Sequence, residues 1–192
     1  GRVWVRGSHV TEPCPAASIE LIVDAARAFG SGSHATTALC LRALQDEIKR
    51  RRPHRVLDLG CGSGILAMAV AKLVPTARTV AVDLDPDSVT TAAENCRLNG
   101  TAALIRTGVS RGWHSPLVQR SAPYDLVLAN ILAKPLCTMA PDLGRGLARG
   151  GRAILSGLMN HQEAQVVAAH RAQGLRLVRR YRRDGWSALV LA

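Results

Sequence analysis

The apolar residues of this chain fall into short, continuous runs with longer segments between them. Five runs are apolar almost throughout rather than alternating with polar residues: residues 55–59, 79–84, 103–107, 124–129 and 152–156. Continuous apolar strands are typical of a parallel sheet that is buried on both faces. The pattern therefore predicts that these five runs form strands of one central, mostly parallel sheet.

The segments between the runs have the spacing of amphipathic helices. Residues 65–73 place their apolar positions on one helical face, and Asp85-Pro86 is an N-cap followed by proline at the first helical position. That second helix is predicted to end at Asn99-Gly100. Further helices are expected at about 35–50, 132–148 and 161–172. Strands that alternate with helices in this way predict a doubly wound α/β fold.

The carboxyl-terminal part breaks that alternation. Residues 175–181 and 186–191 are strand-like and flank Arg182-Arg183-Asp184-Gly185, in which Asp-Gly is a strong hairpin signal. A parallel sheet that ends in an antiparallel hairpin is typical of class I S-adenosylmethionine-dependent methyltransferases, which are Rossmann-like. We therefore predict that α/β fold class for residues 19–192.

Residues 1–18 contain Pro13, Pro15 and little periodicity, so they are predicted to be a lead-in or the remnant of a linker. The first residue is Gly1 and not methionine, which suggests that the chain is a fragment or a processed form. The 192 residues are 47% hydrophobic, enough for the core of one domain. No apolar run approaches the ~20 residues of a membrane span, so no membrane partner is expected.

The five cysteines are odd in number and widely spaced, without a Cys-x-x-Cys pair. This pattern disfavours a disulfide framework and a zinc ribbon, and no metal site is expected. A reducing, cytoplasmic location is therefore the prediction.

The first strand leads into a glycine-rich loop. The sequence Asp58-Leu59-Gly60-Cys61-Gly62-Ser63-Gly64 stands between that strand and a helix. Glycines let the backbone approach a ligand closely. The Gly-x-Gly-x-Gly spacing is one residue tighter than that of dinucleotide folds, so a pyrophosphate need not be held. The pattern indicates S-adenosylmethionine, with Gly60 and Gly62 as contacts.

The ends of the next strands supply further candidates. Asp83 ends the second strand, where a carboxylate can accept hydrogen bonds from both ribose hydroxyls, and Leu84 follows it. Asp85 suits the helix cap better, which leaves Asp83 for the ligand. Gly108, after the third strand, is expected to flank the adenine. Asn130, at the end of the fourth strand, can orient an amine without carrying charge.

The segment after Asn130 lacks the Pro-Pro-Tyr that follows this asparagine in base and glutamine methyltransferases. An aromatic residue there would stack on a planar substrate, so its absence favours an aliphatic amine over a nucleobase. Upstream, residues 28–37 contain Phe29, the only phenylalanine, together with His34 and Thr37. They are predicted to cover the methionine end of the cofactor. His34 is a weaker candidate for a proton acceptor, because a lone loop histidine usually serves as a hydrogen-bonding residue.

Taken together, these motifs resemble the bacterial ribosomal protein L11 methyltransferases, the PrmA family. The segments that carry the resemblance are residues 29–37, 60–64, 83–86, 130–136, 150–151, 155–157 and 185–186. The resemblance covers nearly all of residues 19–192. Ser31 and Ala35 depart from it, since the family commonly has Thr and Pro there.

The resemblance implies cofactor contacts at Thr37, Gly60, Asp83 and Asn130. It also implies methyl transfer from S-adenosylmethionine to lysine side chains or an N-terminal amine of a ribosomal large-subunit protein. The family carries a separate N-terminal substrate-recognition domain, and this chain has only a remnant of the segment that comes after that domain. Asn130 is the expected catalytic residue, and no strong base is required, because an apolar pocket beside a sulfonium disfavours the ammonium form of the amine.

Three alternatives stay open. The chain methylates RNA or another macromolecule on the same fold, it is a catalytic fragment that binds cofactor without methylating alone, or it is a nicotinamide-dependent reductase. The net charge of +11 and the basic runs at residues 49–52 and 179–183 raise the question of RNA contact. Such runs are usually solvated faces, and only Tyr181 interrupts them with an aromatic ring. RNA contact is therefore the less favoured partner.

Overall fold

The computed structural model describes residues 2–24 and 34–192. Its strands are β1 (Val3–Arg6), β2 (Ile19–Ile22), β3 (Arg55–Leu59), β4 (Arg78–Asp83), β5 (Ile105–Val109), β6 (Tyr124–Asn130), β7 (Leu147–Met159), β8 (Leu177–Arg183) and β9 (Trp186–Leu191). Its helices are α1 (Ala35–Arg50), α2 (Ile65–Leu73), α3 (Pro86–Leu98), α4 (Pro116–Ser121), α5 (Ala133–Thr138), α6 (Ala140–Gly146) and α7 (Glu163–Arg171). All five strands and the closing hairpin predicted from the sequence are present, with ends that differ by a few residues.

The central sheet has the order β5-β4-β3-β6-β7-β9-β8. The first five strands in that order are parallel, and β9 runs antiparallel to both β7 and β8. Neighbouring strand residues point to opposite faces, so Val56 lies on the face covered by α1, α2 and α3 while Leu57 lies on the face covered by α4 to α7. Both faces are covered, which is why the strands are apolar throughout.

The strand order reverses next to β3. The chain passes outward from β3 to β4 and β5, and then returns so that β6 lies on the other side of β3. In an open α/β sheet, ligands bind at such a point, outside the carboxyl ends of the strands. The crevice between the ends of β3 and β6 is thus the place to look for a site.

The helices differ from the prediction in two places. The single helix expected over 132–148 is wrong, because the chain forms α5 and α6 with a break at Met139. Pro141 explains the break, since proline has no N–H with which to continue the helical ladder. The short helix α4 was missed, although Ser115-Pro116 caps it as Asp85-Pro86 caps α3.

The hairpin turns on two residues, Asp184 and Gly185, both with positive φ (50° and 79°). That conformation is typical of the tight turns that match the twist of the paired strands. Strand β8 therefore continues through Arg183, two residues beyond the predicted end.

The first residues are ordered against the rest of the chain. Strands β1 and β2 pair in parallel, and Arg6 forms an ion pair of 2.8 Å with Glu20 across them. The Asn99 side chain accepts from the N–H of Ile22 at 2.9 Å and donates to its carbonyl at 2.7 Å. The predicted boundary between a lead-in (1–18) and the main domain (19–192) separates β1 from its paired strand β2. This boundary stays a prediction. No helix of the described ranges is long and apolar enough to cross a membrane.

The basic run at 179–183 is mostly paired with carboxylates. Glu163, nearly fully buried, accepts two hydrogen bonds of 2.8 Å from Arg182 and forms an ion pair of 2.7 Å with Arg180. The Arg182 hydrogen bonds, helped by Ser187 and the Arg180 charge, hold the pKa of Glu163 below its usual value despite burial. This run fastens the hairpin to α7.

Replacing Glu163 by Ala should therefore destabilise the protein. We expect a loss of about 1–3 kcal/mol in the free energy of unfolding, since a buried carboxylate and its charged partners are separated. Urea unfolding of the variant and the parent chain measures this difference in the free energy of unfolding. Glu94→Ala, which removes an exposed carboxylate on α3, is the control and should change little. Equal effects of the two substitutions would contradict the assignment.

Candidate functional site

A cavity of about 620 Å³ opens at the crevice between β3 and β6. Its lining includes seven residues that the sequence singled out: His34, Thr37, Gly60, Gly62, Asp83, Leu84 and Asn130. They come from the start of α1 and from the loops after β3, β4 and β6, so the fold brings together residues far apart in sequence. Phe29 lies outside the described residues.

The glycine loop is tied to the end of β4 through three successive N–H groups. Gly60 and Cys61 both donate to the carbonyl of Val82, at 2.8 and 3.0 Å. Gly62 donates to Oδ2 of Asp83 at 2.9 Å. These N–H groups are thereby used within the protein. A pyrophosphate bound at this loop would have to compete for them, which disfavours a dinucleotide ligand.

Gly60 cannot be replaced by a larger residue without rearrangement. Its φ is +70°, and a Cβ there would overlap the Ile131 side chain that follows β6. The loop after β3 and the segment after β6 are therefore in direct contact, and both line the cavity.

Asp83 is held in place through both carboxylate oxygens. In addition to the Gly62 bond, Oδ1 accepts from the N–H of Asp85 at 3.1 Å. Asp85 itself caps α3 by accepting from the N–H groups of Asp87 and Ser88, as predicted. Asp83 is half-buried at the cavity wall, so its contact with a ribose stays a prediction that the position allows.

Asp58 supports the loop from inside the protein. Its Oδ2 accepts from the N–H of Ala67, in the first turn of α2, at 2.9 Å. The other oxygen, Oδ1, has no hydrogen-bond partner among the described residues. Burial raises the pKa of Asp58 to about 7. The carboxyl group is thus a neutral hydrogen-bonding anchor at low pH and a buried charge at high pH.

Thr37 and Asn130, 93 positions apart, meet in the cavity. Asn130 Nδ2 donates to Thr37 Oγ1 at 3.4 Å. The Asn130 Oδ1 atom is buried and finds no donor in the described ranges. A buried amide oxygen without a donor is costly in an empty site. Asn130 can therefore accept a hydrogen bond from a ligand N–H.

His34 caps a helix. Its Nδ1 accepts from the N–H of Thr36 at 3.3 Å and lies 2.8 Å from the Thr36 hydroxyl. Its ring packs edge to face against Trp186, with centroids 4.9 Å apart. The capping role accounts for one ring nitrogen, so the proton-acceptor hypothesis for His34 stays the weaker one.

Gly108 does not line the cavity, contrary to its expected place beside the adenine. A Cβ on Gly108 would lie 2.9 Å from Leu117 of α4, so this glycine serves close packing. The lining at this point comes from Ser110, Arg111 and Gly112. The wall of this part of the cavity begins two residues later than the sequence suggested.

Sequence reasoning missed Trp186, Leu132 and Met139, which also line the cavity. The hairpin brings an aromatic side chain, Trp186, to the cavity, although the segment after Asn130 contains none. Leu132 is 70% exposed at the rim. The sequence signals for Trp186 were its place directly after the Asp-Gly turn and its part in the segment 185–186 that carries the family resemblance. No group of three potential metal ligands occurs within residues 2–24 and 34–192.

The comparison with known families is unambiguous. The profile of the ribosomal protein L11 methyltransferase (PrmA) family matches residues 1–192. A ribosomal protein L11 methyltransferase of Bradyrhizobium diazoefficiens is 47% identical over 191 residues, which is 100% of this chain and 64% of that protein. One of Brucella suis is 42% identical over 191 residues, 100% of this chain and 67% of that protein. The chain thus spans about two thirds of the length of these relatives.

Solved structures agree on the fold. The crystal structure of a ribosomal protein L11 methylase from Lactobacillus delbrueckii subsp. bulgaricus has a TM-score of 0.85 and 28% identity, covering 100% of this chain and 94% of that one. An RNA methyltransferase from Salinibacter ruber, in complex with S-adenosyl-L-homocysteine, has a TM-score of 0.58 and 17% identity, covering 78% and 88%. The second likeness concerns the fold alone. The predicted methyltransferase fold is confirmed.

The raised pKa of Asp58 predicts a dependence of stability on pH. Between pH 4 and 7 the folded protein keeps this proton while the unfolded chain, with an ordinary pKa of 3.8, releases it. Asp58 therefore lowers the free energy of unfolding as pH rises through this window. Asp58→Asn should remove that contribution, so its stability relative to the parent chain should rise by up to a few kcal/mol from pH 4 to 7.

Urea unfolding at several pH values measures this difference, and Asp87→Asn, at an exposed carboxylate, is the control. The difference should level off above pH 7. Parallel pH profiles for Asp58→Asn and the parent chain would show that Asp58 is ionised normally.

Proposed function

Because the chain belongs to the ribosomal protein L11 methyltransferase (PrmA) family, we propose that it transfers methyl groups from S-adenosylmethionine to amino groups of a ribosomal large-subunit protein. The acceptors are lysine side chains, an N-terminal amine, or both. The observation that carries the proposal is the meeting of Thr37, Asp83 and Asn130 around one cavity at the strand-order reversal.

The residues present fit this cofactor. Asp83 offers a fixed carboxylate to the ribose hydroxyls, and the unpartnered Oδ1 of Asn130 offers an acceptor to the amino group of the methionine part or to the incoming amine. The loop glycines allow a ligand to lie directly on the backbone. Gly108 was also expected to contact the cofactor. The cavity wall favours Ser110, Arg111 and Gly112 for that contact instead.

When bound, S-adenosylmethionine supplies a methyl group on a positively charged sulfur. The task of the protein is then to position a neutral amine and to exclude water. Leu132, Met139 and Trp186 give the cavity an apolar rim, which disfavours the ammonium form of an entering lysine. Asn130 can orient the amine without adding a charge that would retain its proton.

No residue of the described site needs to act as a strong base. A lysine with an ordinary pKa of ~10.4 must lose its proton at a cost of roughly 4–5 kcal/mol at pH 7, whereas an α-amino group with a pKa of ~7.7–8.0 costs only about 1. The apolar rim and a nearby sulfonium charge both reduce this cost. The proton then leaves to solvent.

A labelled-methyl assay tests the proposed reaction. The chain, alone and fused behind the N-terminal domain of a longer relative, is incubated with labelled S-adenosylmethionine and either ribosomal proteins or ribosomal RNA. Label in a large-subunit protein is the expected result. Label in the RNA instead would favour the alternative substrate class. If neither form of the enzyme labels protein or RNA, the proposed methyl transfer to a ribosomal component is contradicted.

Asp83→Ala should weaken the binding of S-adenosylmethionine by roughly 10- to 100-fold, through loss of charge-assisted hydrogen bonds. Isothermal titration calorimetry measures the dissociation constant. Asp87→Ala removes the same charge from an exposed position four residues away and should leave it unchanged. Unaltered affinity in Asp83→Ala would remove the ribose assignment.

Asn130→Ala should reduce turnover more than cofactor affinity, because its amide is expected to act on the amine during transfer. Thr37→Val provides the comparison, since it deletes the hydroxyl that holds the Asn130 side chain and should cause a smaller loss of the same kind. The readouts are kcat from the labelled-methyl assay and the dissociation constant from calorimetry. A loss confined to cofactor affinity would make Asn130 a plain binding residue.

A further inference from the structure

The two basic runs of the sequence differ in the partners that the fold gives them. The run at 179–183 is held by Glu163, Glu47 and neighbouring acceptors, as described for Arg180 and Arg182. The other run, at 49–52, ends α1 and leads into β3. Its arginines meet further arginines at the amino ends of the parallel strands, at the opposite edge of the sheet from the cavity.

We call this surface the basic edge and define it by five exposed arginines: Arg51, Arg52, Arg55, Arg78 and Arg149. The positions are tied together by the backbone. Arg55 and Arg78 are register partners at the starts of β3 and β4, and the Arg51 guanidinium donates to the carbonyl of Gly150, next to Arg149. The juxtaposition is a product of the parallel topology and is invisible in the sequence.

The positive charge of the basic edge is nearly uncompensated. Within residues 2–24 and 34–192, none of the five guanidinium groups forms an ion pair. Asp125 lies among them, but its Oδ2 accepts from the backbone N–H groups of His54 and Arg55, at 2.9 and 2.8 Å. Its charge interacts with those of Arg51 and Arg55. Apart from the Arg51 bond to Gly150, no side-chain hydrogen bond of the five arginines occurs within the described residues, so most of their donors stay available to a partner.

We propose that the basic edge binds the phosphate backbone of double-helical RNA. Guanidinium forks match phosphate oxygens in pairs, and the five residues are all arginines. The described surface has no aromatic side chain among them, which disfavours stacking on single-stranded bases. The choice of RNA among polyanions rests on the proposed function, since a ribosomal protein is a component of an RNA-rich particle.

The geometry leaves the cavity free while RNA is bound. Strand β3 runs from Arg55 at the basic edge to Leu59 at the cavity, a rise of about 13 Å over its four residue steps. An RNA helix on one edge and a protein amine at the other therefore need not overlap. The basic edge would hold the enzyme near its RNA-bound surroundings without touching the reacting atoms.

Fluorescence anisotropy with a labelled RNA hairpin tests the proposal without any methyl transfer. The dissociation constant is measured from 50 to 300 mM salt for the chain and for the triple variant Arg52→Gln/Arg55→Gln/Arg78→Gln. Three lost phosphate contacts should weaken binding at least tenfold at 100 mM salt and reduce the slope of log affinity against log salt by about 2–3. Arg52→Gln/Arg149→Gln, a milder pair, should give an intermediate loss.

The control triple variant, Arg42→Gln/Lys134→Gln/Arg183→Gln, removes the same charge from exposed positions away from the basic edge. It should bind RNA within about threefold of the parent chain. An equal loss in both triple variants would show diffuse attraction and overturn the proposal. The proposal would also be overturned if poly-glutamate or anionic lipid vesicles displaced the labelled RNA as well as unlabelled RNA does. It would equally be overturned if the parent chain did not bind the RNA at 100 mM salt.

Calorimetry with S-adenosylmethionine separates this outcome from failure of the proposed function. The basic-edge variants should bind the cofactor as the parent chain does, because none of their residues lines the cavity. RNA binding that disappears while cofactor binding persists supports the basic edge, whatever substrate the methyl-transfer assay identifies.

Discussion

The site depends on the attachment of the glycine loop to the end of β4. Val82 accepts from the N–H groups of Gly60 and Cys61, and Asp83 accepts from that of Gly62. These bonds fix the loop against its neighbouring strand, and Asp58 fixes the next helix through the N–H of Ala67. The same bonds place the Asp83 carboxylate on the cavity wall and occupy three successive N–H groups for which a pyrophosphate would have to compete. The hydrogen bonds that fix the loop are thus also the reason that it disfavours a dinucleotide.

The contact between Gly60 and Ile131 connects this loop to the reacting side of the cavity. It holds the segment after β6 against the segment after β3, and Asn130 is thereby brought to within 3.4 Å of Thr37 at the start of α1. Asn130 keeps one oxygen without a donor among the described residues. The cavity is therefore preorganised by backbone packing, and its polar groups are few and fixed, as expected of a site that positions its reactants.

Local patterns predicted those parts of the fold that local chemistry decides. The apolar strands, the Asp85-Pro86 cap and the Asp184-Gly185 turn each depend on residues within a few positions of one another. Two local signals were overlooked, the Pro141 that separates α5 from α6 and the Ser115-Pro116 cap of α4. Elsewhere the prediction failed because a distant partner decides. The arginines of β8 are paired because Glu163 approaches from α7, and Trp186 lines the cavity because the hairpin ends at the carboxyl edge of the parallel strands. Gly108 was expected beside the adenine, but it lies within β5 and packs against Leu117, outside the cavity lining.

The two ends of the parallel strands differ in chemical character, because the parallel topology brings all their carboxyl ends to one edge of the sheet and all their amino ends to the other. Carboxyl ends gather the loops that form the cavity, and amino ends gather the arginines of the basic edge. The central claim concerns the first of these edges, and calorimetric titration of the chain with S-adenosylmethionine and with nicotinamide dinucleotides tests it most directly. Micromolar binding of S-adenosylmethionine without detectable binding of the dinucleotides is the predicted result. Comparable binding of a dinucleotide would contradict the account of the loop and of the site built on it.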